Sequence, residues 1–375
     1  MTDVDTATGP DATPPKQWRG GVLGTTVVVA LGLAIVGVLA VTVCGRMVRA
    51  PGPLLVVMVT VLPYLYTAVG AAVFAVWCVL PDRRSLPALL ALVAIAAGVL
   101  WGPSFPARPQ RAEGVSLTAI SWNVQRFWGG EDDPVQCVID GILEADPDVV
   151  TLLEISRDTL ESVQDRLNLN CIHSDYFGTN NASRGGLAVC ARRSAFLVTG
   201  SGHPFSDEDA WQYVSAEITG QGRRFNVVGV HLQPYWPLTG AVMRQSVSDL
   251  AQGEPGPLLA MSRDGAAVVA RQGRQSSALL DRVSRYHDPT LILGDFNSTR
   301  DSALHTELRR SFVDTFARGS RGFGATVYAL GWLPLRVDYI YSTPDFAVRS
   351  SRLGPANCSD HRPVISQLVL RDDER

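Results

Sequence analysis

The sequence predicts an α/β sandwich carried behind a block of apolar helices. Three observations lead there. Long uncharged segments fill the first third of the 375 residues. From Val115 onward, many short apolar strands alternate with a few helical stretches, the rhythm of a sandwich rather than of a regular doubly wound sheet. Side chains suited to acid, base or metal chemistry recur at the ends of those strands.

Taken in order, residues 1–20 are polar, contain Pro10, Pro14 and Pro15, and read as a disordered tail. Residues 21–106 read as a membrane domain with three transmembrane helices, 21–43, 54–80 and 86–102. A hydrocarbon core of ~30 Å takes about 20 residues, which the first two segments meet and the third approaches. The competing reading is a cleaved signal peptide followed by core helices; the first run is longer than a signal h-region. Each flank carries two positive charges (Lys16 and Arg19, Arg46 and Arg49, Arg83 and Arg84, Arg108 and Arg111), so charge bias leaves the orientation open. Residues 107–116 read as a linker and 117–375 as the globular domain.

In that domain, strands are expected over 116–122, 148–153, 171–177, 186–192, 211–218, 224–230, 290–293, 337–341 and 363–370, and helices over 134–144, 157–167 and 267–286. Asp146-Pro147 closes the first of these helices, Asn180-Asn181 mark a hairpin tip, and Gly220-Gln221-Gly222 a second turn. Residues 233–266, with Pro234, Trp236, Pro237, Pro255 and Pro257, read as a long irregular insertion, either a solvated loop or a segment covering a site or touching a bilayer.

Four cysteines, Cys137, Cys171, Cys190 and Cys358, fall in the globular domain. Cys171 and Cys190 are nearly symmetric about the hairpin tip and are either a cross-strand disulfide, which would place the domain in an oxidising compartment, or two buried thiols. The expectation is a multi-pass protein of the cell membrane with its globular domain outside the cytoplasm. Net charge is −3; six of the 33 basic and four of the 36 acidic residues precede position 107, leaving −5 on the remainder. No bulk positive field draws in nucleic acid, which weakens a nuclease reading.

The strongest chemical signal is Leu291-Ile292-Leu293-Gly294-Asp295-Phe296-Asn297-Ser298. Strand side chains alternate, so Asp295 and Asn297 are expected on one face, beside a backbone that Gly294 lets approach closely. A carboxylate beside an amide can orient and deprotonate a water. Further polar strand ends carry Asn123 and Gln125, Glu154, His231, Asp338, and Asp360 with His361. Each alone has a structural explanation as a turn, cap or surface residue. Together they supply hard oxygen donors and two histidines without a cysteine cluster, a set that suits Mg²⁺ or Mn²⁺.

The order WNV, LLE, VHL, GDFN, VDYI, SDH resembles the DNase I-like endonuclease/exonuclease/phosphatase superfamily over roughly residues 116–370, and in particular bacterial members with N-terminal membrane helices. The resemblance implies a four-layer α/β/β/α sandwich with the site at one edge of two packed sheets. It implies metal ligation by Glu154 with Asn123, Gln125 and Asp360. It assigns Asp295 to the attacking water with Asn297 steadying it, His231 to a phosphate oxygen, and Asp338 to orienting His361, which stabilises charge on the phosphoryl group. The reaction implied is hydrolysis of a phosphodiester or phosphomonoester. The substrate is a nucleic acid or nucleotide, or alternatively a phospholipid or phosphoinositide-like headgroup; a catalytically inactive membrane scaffold is the remaining reading. The bilayer is the partner implied, and no protein partner is.

Gln125 stands where many family nucleases carry an acid. The family's Arg-Gln pair, here Arg271-Gln272 or Arg274-Gln275, comes late, after the insertion. Tyr176, Arg184 and Arg193 are the positions available for a further phosphate contact, and His173, His203, His287 and His305 read as structural or surface residues.

Overall fold

A computed structural model describes residues 21–48, 53–79, 112–124, 133–175, 185–205, 212–234, 256–329, 333–355 and 357–372. Two six-stranded mixed sheets dominate. The first runs β13 (Phe346–Leu353), β14 (Val364–Arg371), β1 (Gly114–Asn123), β2 (Val149–Ile155), β4 (Gly186–Arg192) and β3 (Leu169–Asp175). The second runs β5 (Leu197–Pro204), β6 (Gln212–Gly220), β7 (Arg223–His231), β8 (Thr290–Asp295), β12 (Asp338–Ser342) and β9 (Val313–Asp314). A small hairpin pairs β10 (Val327–Ala329) with β11 (Leu333–Leu335).

Alternation puts one side-chain set of each sheet between the sheets and the other outside. Leu117, Val149 and Leu187 of the first sheet meet Val214, Val227, Leu291 and Ile340 of the second in the central core. Ile120, Trp122, Val150 and Leu152 face outward onto α4 (Pro134–Ala145) and α5 (Arg157–Leu167). On the far side Val228, Val230, Ile292 and Tyr339 pack with Leu279 and Val283 of α6 (Gly256–Val283) and Leu304 and Leu308 of α7 (Ala303–Leu308). The result is helix, sheet, sheet, helix, with a short α8 (Thr315–Gly319) alongside.

Local chemistry accounts for the helix ends. Asp133 caps α4 by accepting from the Gln136 N–H at 2.9 Å, Pro134 fills the first turn, and Asp146 ends it in the left-handed region (φ 45°). Ser156 caps α5, and Asn168 ends it left-handed. The helix expected over 267–286 instead starts at Gly256, eleven residues early, because Pro257 is compatible with a first turn and stops nothing there. The insertion is shortened accordingly, and 235–255 lie outside the described residues. Strand β1 begins at Gly114, inside the stretch read as linker, where Gly114 to Ser121 pair with β14.

The apolar N-terminal segments differ from expectation. Helix α1 (Gly21–Met47) contains a 19-residue stretch, Val29–Met47, with mean hydropathy 2.1, long and apolar enough to cross a bilayer. The second expected span is broken into α2 (Pro53–Thr60) and α3 (Leu62–Val79), bent by 65°. Pro63 explains the break: it lacks the N–H that would pair with the Val59 carbonyl, and its ring crowds that carbonyl. The third expected span, 86–102, lies outside the described residues. Three continuous spans are therefore not what the structure displays; among the described residues one helix meets the length, and the bent pair meets it only taken together.

These helices pack on the globular domain. Arg46 forms an ion pair with the buried Asp301 at 2.6 Å, and Val56 and Val59 of α2 line a cavity with Val269 and Leu280 of α6 and Thr299. Two disulfides are present. Cys171 and Cys190 are register partners on β3 and β4 and are bonded. Cys137 of α4 is bonded to Cys358 on the turn between β13 and β14, a pairing that no sequence spacing indicated.

Candidate active site

Parallel pairing of β7 with β8 sets His231 opposite Asp295, and antiparallel pairing of β12 with β8 sets Asp338 opposite Asp295. Three functional side chains thus form one row across the end of the second sheet. Close strand approach is required: a Cβ at Gly294 would lie 1.8 Å from the Val230 carbonyl oxygen. At the facing edge of the first sheet, Asn123 ends β1 and Glu154 stands at an irregularity of β2 with φ 60°. Gly185 makes room for this, since a Cβ there would sit 2.7 Å from the Glu154 carbonyl.

Asn123 joins the two sheets. Its Nδ2 donates to Glu154 Oε1 at 3.1 Å and to Asp295 Oδ2 at 3.3 Å. Asp295 Oδ1 accepts the Asn297 N–H at 2.8 Å. Around Oδ2 stand Asn123, His231 Nε2 at 3.8 Å and His361 Nδ1 at 3.9 Å. His361 Nδ1 donates to Asp338 Oδ2 at 2.8 Å, while the Asp360 carboxylate lies 4.0 Å from His361 Nε2. Asp295, Asp338 and His231 are buried, and Asp360 is exposed.

Burial, together with the Asp338 charge, pushes Asp295 up to about 8. Burial by itself would lower His361, but Asp338, Asp295 and Asp360 outweigh it and hold the imidazole well above its ordinary value. Burial and then the nearby His361 push His231 down to about 3, so it is neutral. The site therefore pairs a carboxylate that gains a proton easily with an imidazole that keeps one, a perturbed combination typical of functional sites.

One expectation is corrected. Asn297 does not continue the strand alternation: β8 ends at Asp295, Asn297 turns left-handed (φ 47°), and its Nδ2 donates to the Leu232 carbonyl at 2.9 Å. Asn297 thus fixes Asp295 through its backbone N–H while tying down the end of β7. Gln125, Tyr176 and Arg184 lie outside the described residues. Arg193 bonds Asn170 and the Leu169 carbonyl, away from the row. His305 is buried, with Nε2 3.0 Å from Ser298 Oγ and Nδ1 2.8 Å from the Tyr341 hydroxyl, a structural role as expected.

Three supporting residues complete the site, of which the sequence had named only Gln272, as one of two alternatives for the Arg-Gln pair. Gln272 Nε2 donates to the carbonyls of Gln233, Phe296 and Asn297 at 2.9, 3.3 and 3.1 Å. Thr326 Oγ1 accepts the N–H groups of Val337 and Asp338. Trp122 Nε1 donates to the His361 carbonyl at 3.0 Å. Nothing in the sequence singled out Thr326 or the Trp122 contact.

Residues 120–361 match the model of the Endonuclease/Exonuclease/phosphatase family. The chain belongs to this family. No curated protein matches it. Among solved structures, the family member from Bacteroides vulgatus superposes with a TM-score of 0.50 at 15% identity, covering 68% of this chain and 100% of its own. The member from Beutenbergia cavernae gives 0.51 at 18% identity over 70% of this chain and 72% of its own. Likeness at such identity bears on the fold, and the fold is that of the family: two packed mixed sheets flanked by helices. As an enzyme of the endonuclease/exonuclease/phosphatase family the protein is a hydrolase acting on phosphoesters. Its Asp295, Asp338 and His361 present ligand atoms within 4.8 Å of one another, close enough to hold a metal ion.

Proposed function

We propose that the protein is a membrane-anchored, divalent-metal-dependent phosphoesterase that cleaves its substrate by in-line attack of water. The row of His231, Asp295 and Asp338, with His361 held on Asp338, carries this reading. Asp295 accepts the proton of the attacking water at Oδ2, the oxygen that faces Asn123, His231 and His361, while the Asn297 N–H holds Oδ1. Protonated His361, oriented through Nδ1 by Asp338, donates to the phosphoryl group as negative charge develops. Neutral His231 donates to a second phosphoryl oxygen, and Asn297 keeps Asp295 in place.

The donor set fits a hard divalent cation. Asp338 Oδ1 is buried without a hydrogen-bond partner, and Asp295 and Asp338 share a pocket where a cation would relieve their repulsion. Glu154 is the principal ligand in this reading, with Gln125 and Asp360 completing the shell. Asn123 as placed turns its amide nitrogen to both carboxylates, so it serves them as a bridge. When bound, Mg²⁺ or Mn²⁺ supplies Lewis-acid polarisation of a phosphoryl oxygen. His361 Nδ1 donates to Asp338 Oδ2, which keeps His361 in acid–base service and leaves Asp338 Oδ1 available to the ion.

The disulfides Cys137–Cys358 and Cys171–Cys190 support a globular domain outside the cytoplasm, and α1 supports its anchoring. A multi-pass anchor rests on the sequence of 54–80 and 86–102. Family resemblance favours a nucleic acid or nucleotide substrate. A lipid-headgroup substrate is the second reading, favoured by the docking of α1 onto Asp301, six residues beyond Asp295. The test is full-length protein in detergent with Mg²⁺, Mn²⁺ or EDTA, offered plasmid DNA, RNA, nucleotides, phospholipids and inositol phosphates. Metal-dependent turnover of one class is expected. Folded protein that turns over none would move the account to an inactive scaffold.

A further inference from the structure

The turn that carries Asp360 and His361 runs from the end of β13 to the start of β14, with no strand or helix among its described residues. Several ties hold it. Ser359 Oγ donates to the Asn123 carbonyl at 2.8 Å and accepts the His361 N–H at 3.1 Å. Trp122 Nε1 donates to the His361 carbonyl, and the Arg362 N–H donates to the Thr326 carbonyl at 2.8 Å. Cys358, three residues before His361, is bonded to Cys137 across 221 positions of sequence. That bond is the covalent member of the set. Cys358 is buried in the same apolar cluster as Trp122, Val138 and Ile139, so the disulfide, the indole and Ser359 fasten the turn to the end of β1 that supplies Asn123.

We propose that the Cys137–Cys358 disulfide is a positioning element of the active site. It sets where His361 and Asp360 stand relative to Asp295 and Asp338, and its reduction lowers turnover while the two sheets stay folded. The other disulfide makes an internal control. Cys171–Cys190 joins register partners on neighbouring strands that ladder hydrogen bonds already hold, and it carries no residue of the row. Loss of positioning acts on rate: a misplacement of about 1 Å can cost on the order of 10²-fold.

The inference rests on the phosphoesterase reading for its rate readout, so a second readout stands apart from activity. Full-length oxidised protein in detergent is assayed with Mg²⁺ and bis-p-nitrophenyl phosphate before reduction, after dithiothreitol, and after reoxidation. Reduction gives two thiols at Cys137 and Cys358, and the reagent leaves as its cyclic disulfide; alkylation and mass measurement report which bonds opened. Cys137→Ser/Cys358→Ser and Cys171→Ser/Cys190→Ser run beside it, and hydrogen exchange is followed in all samples. With the Cys137–Cys358 bond open, kcat falls about 10- to 100-fold and KM stays within about threefold. The amides of His361 and Arg362 exchange at least about tenfold faster, while those of β8 and β12 keep their protection, which separates positioning from unfolding. Reoxidation restores kcat, and opening Cys171–Cys190 leaves it within about twofold. If Cys137→Ser/Cys358→Ser does not fold, reduction of the native protein carries the test. Unchanged kcat with unchanged exchange at His361 and Arg362 overturns the proposal. So does a rate loss that tracks lost protection in β8 and β12. Faster exchange in the turn with no turnover in any state keeps the clamp and defeats the phosphoesterase reading instead.

Discussion

Replacing Asp338 by asparagine removes one buried charge and keeps the shape of the side chain. In the native protein that charge acts on two groups. It accepts the His361 Nδ1–H at 2.8 Å and lies opposite Asp295, with the ligand atoms of all three within 4.8 Å. It raises the proton affinity of both: His361 because the imidazolium is attracted, Asp295 because a second carboxylate is repelled. Two unit charges about 4–5 Å apart at an effective dielectric near 20 interact by about 4 kcal/mol. An interaction of that size is enough to carry the titration of each partner well away from its ordinary range. If Asp295 must be deprotonated and His361 protonated, kcat/KM follows a bell whose ascending limb reports the first and descending limb the second, as apparent values of a coupled set. Asp338→Asn is expected to move both limbs clearly to lower pH, because both partners lose the charge that raises them. It is also expected to lower the maximum about 10²- to 10³-fold, because His361, without the carboxylate that orients and charges it, is lost as a preorganised donor. The assay is kcat/KM on bis-p-nitrophenyl phosphate from pH 4 to 10 at fixed free Mg²⁺. Stationary limbs, or limbs that move in opposite directions, would refute the shared-charge reasoning.

Further consequences are open to measurement. Stability of the metal-free protein should fall between about pH 6.5 and 8. In that window the folded state binds more protons than the unfolded chain at both Asp295 (about 8 folded) and His361 (raised), so the stability they contribute is lost as pH rises. His231 and His305, both lowered to about 3, act in the opposite sense but only below about 6.5. Thermal melts in EDTA should therefore drop on the order of 1–2 kcal/mol per group across the window, and Asp295→Asn should flatten the drop while abolishing turnover; a rising melt would contradict the assignment. Gly294→Ala drives a Cβ to 1.8 Å from the Val230 oxygen and should destabilise by on the order of 3 kcal/mol, read by denaturant melts. Glu154→Gln should remove the stabilisation that Mg²⁺ gives, about 2.7 kcal/mol at a hundred times Kd and read as a rise in melting temperature; an undiminished rise would place the ion elsewhere.

Sequence and structure agree best where local rules fix the answer. Apolar runs ending in a polar residue located β1, β2, β7 and β8, and with them Asn123, Glu154, His231 and Asp295, while an Asp set in an aromatic-rich run located β12 and Asp338, because a terminal strand residue stands at the sheet edge. The cross-strand cysteines were legible as one of two readings, since symmetry about a hairpin tip makes partners of Cys171 and Cys190. Strand alternation failed at Asn297 because the chain leaves the sheet after Asp295 and no period reaches past a strand end. Cys137–Cys358 and the Trp122–His361 bond were beyond reach because each joins segments more than 200 positions apart. Pro63 stood in plain view in the second apolar run, yet hydropathy alone passed over it, and the helix breaks there.

The central claim is that Asp295 delivers water to phosphorus in a metal-dependent hydrolysis. Turnover of bis-p-nitrophenyl phosphate by the full-length protein in H₂¹⁸O, with Mg²⁺ and then with EDTA, tests it most directly. Mg²⁺-dependent turnover is expected, with one ¹⁸O in the phosphate-containing product and none in the p-nitrophenol, all of it lost in Asp295→Asn. Label in the p-nitrophenol, turnover untouched by EDTA, or full activity in Asp295→Asn would contradict it.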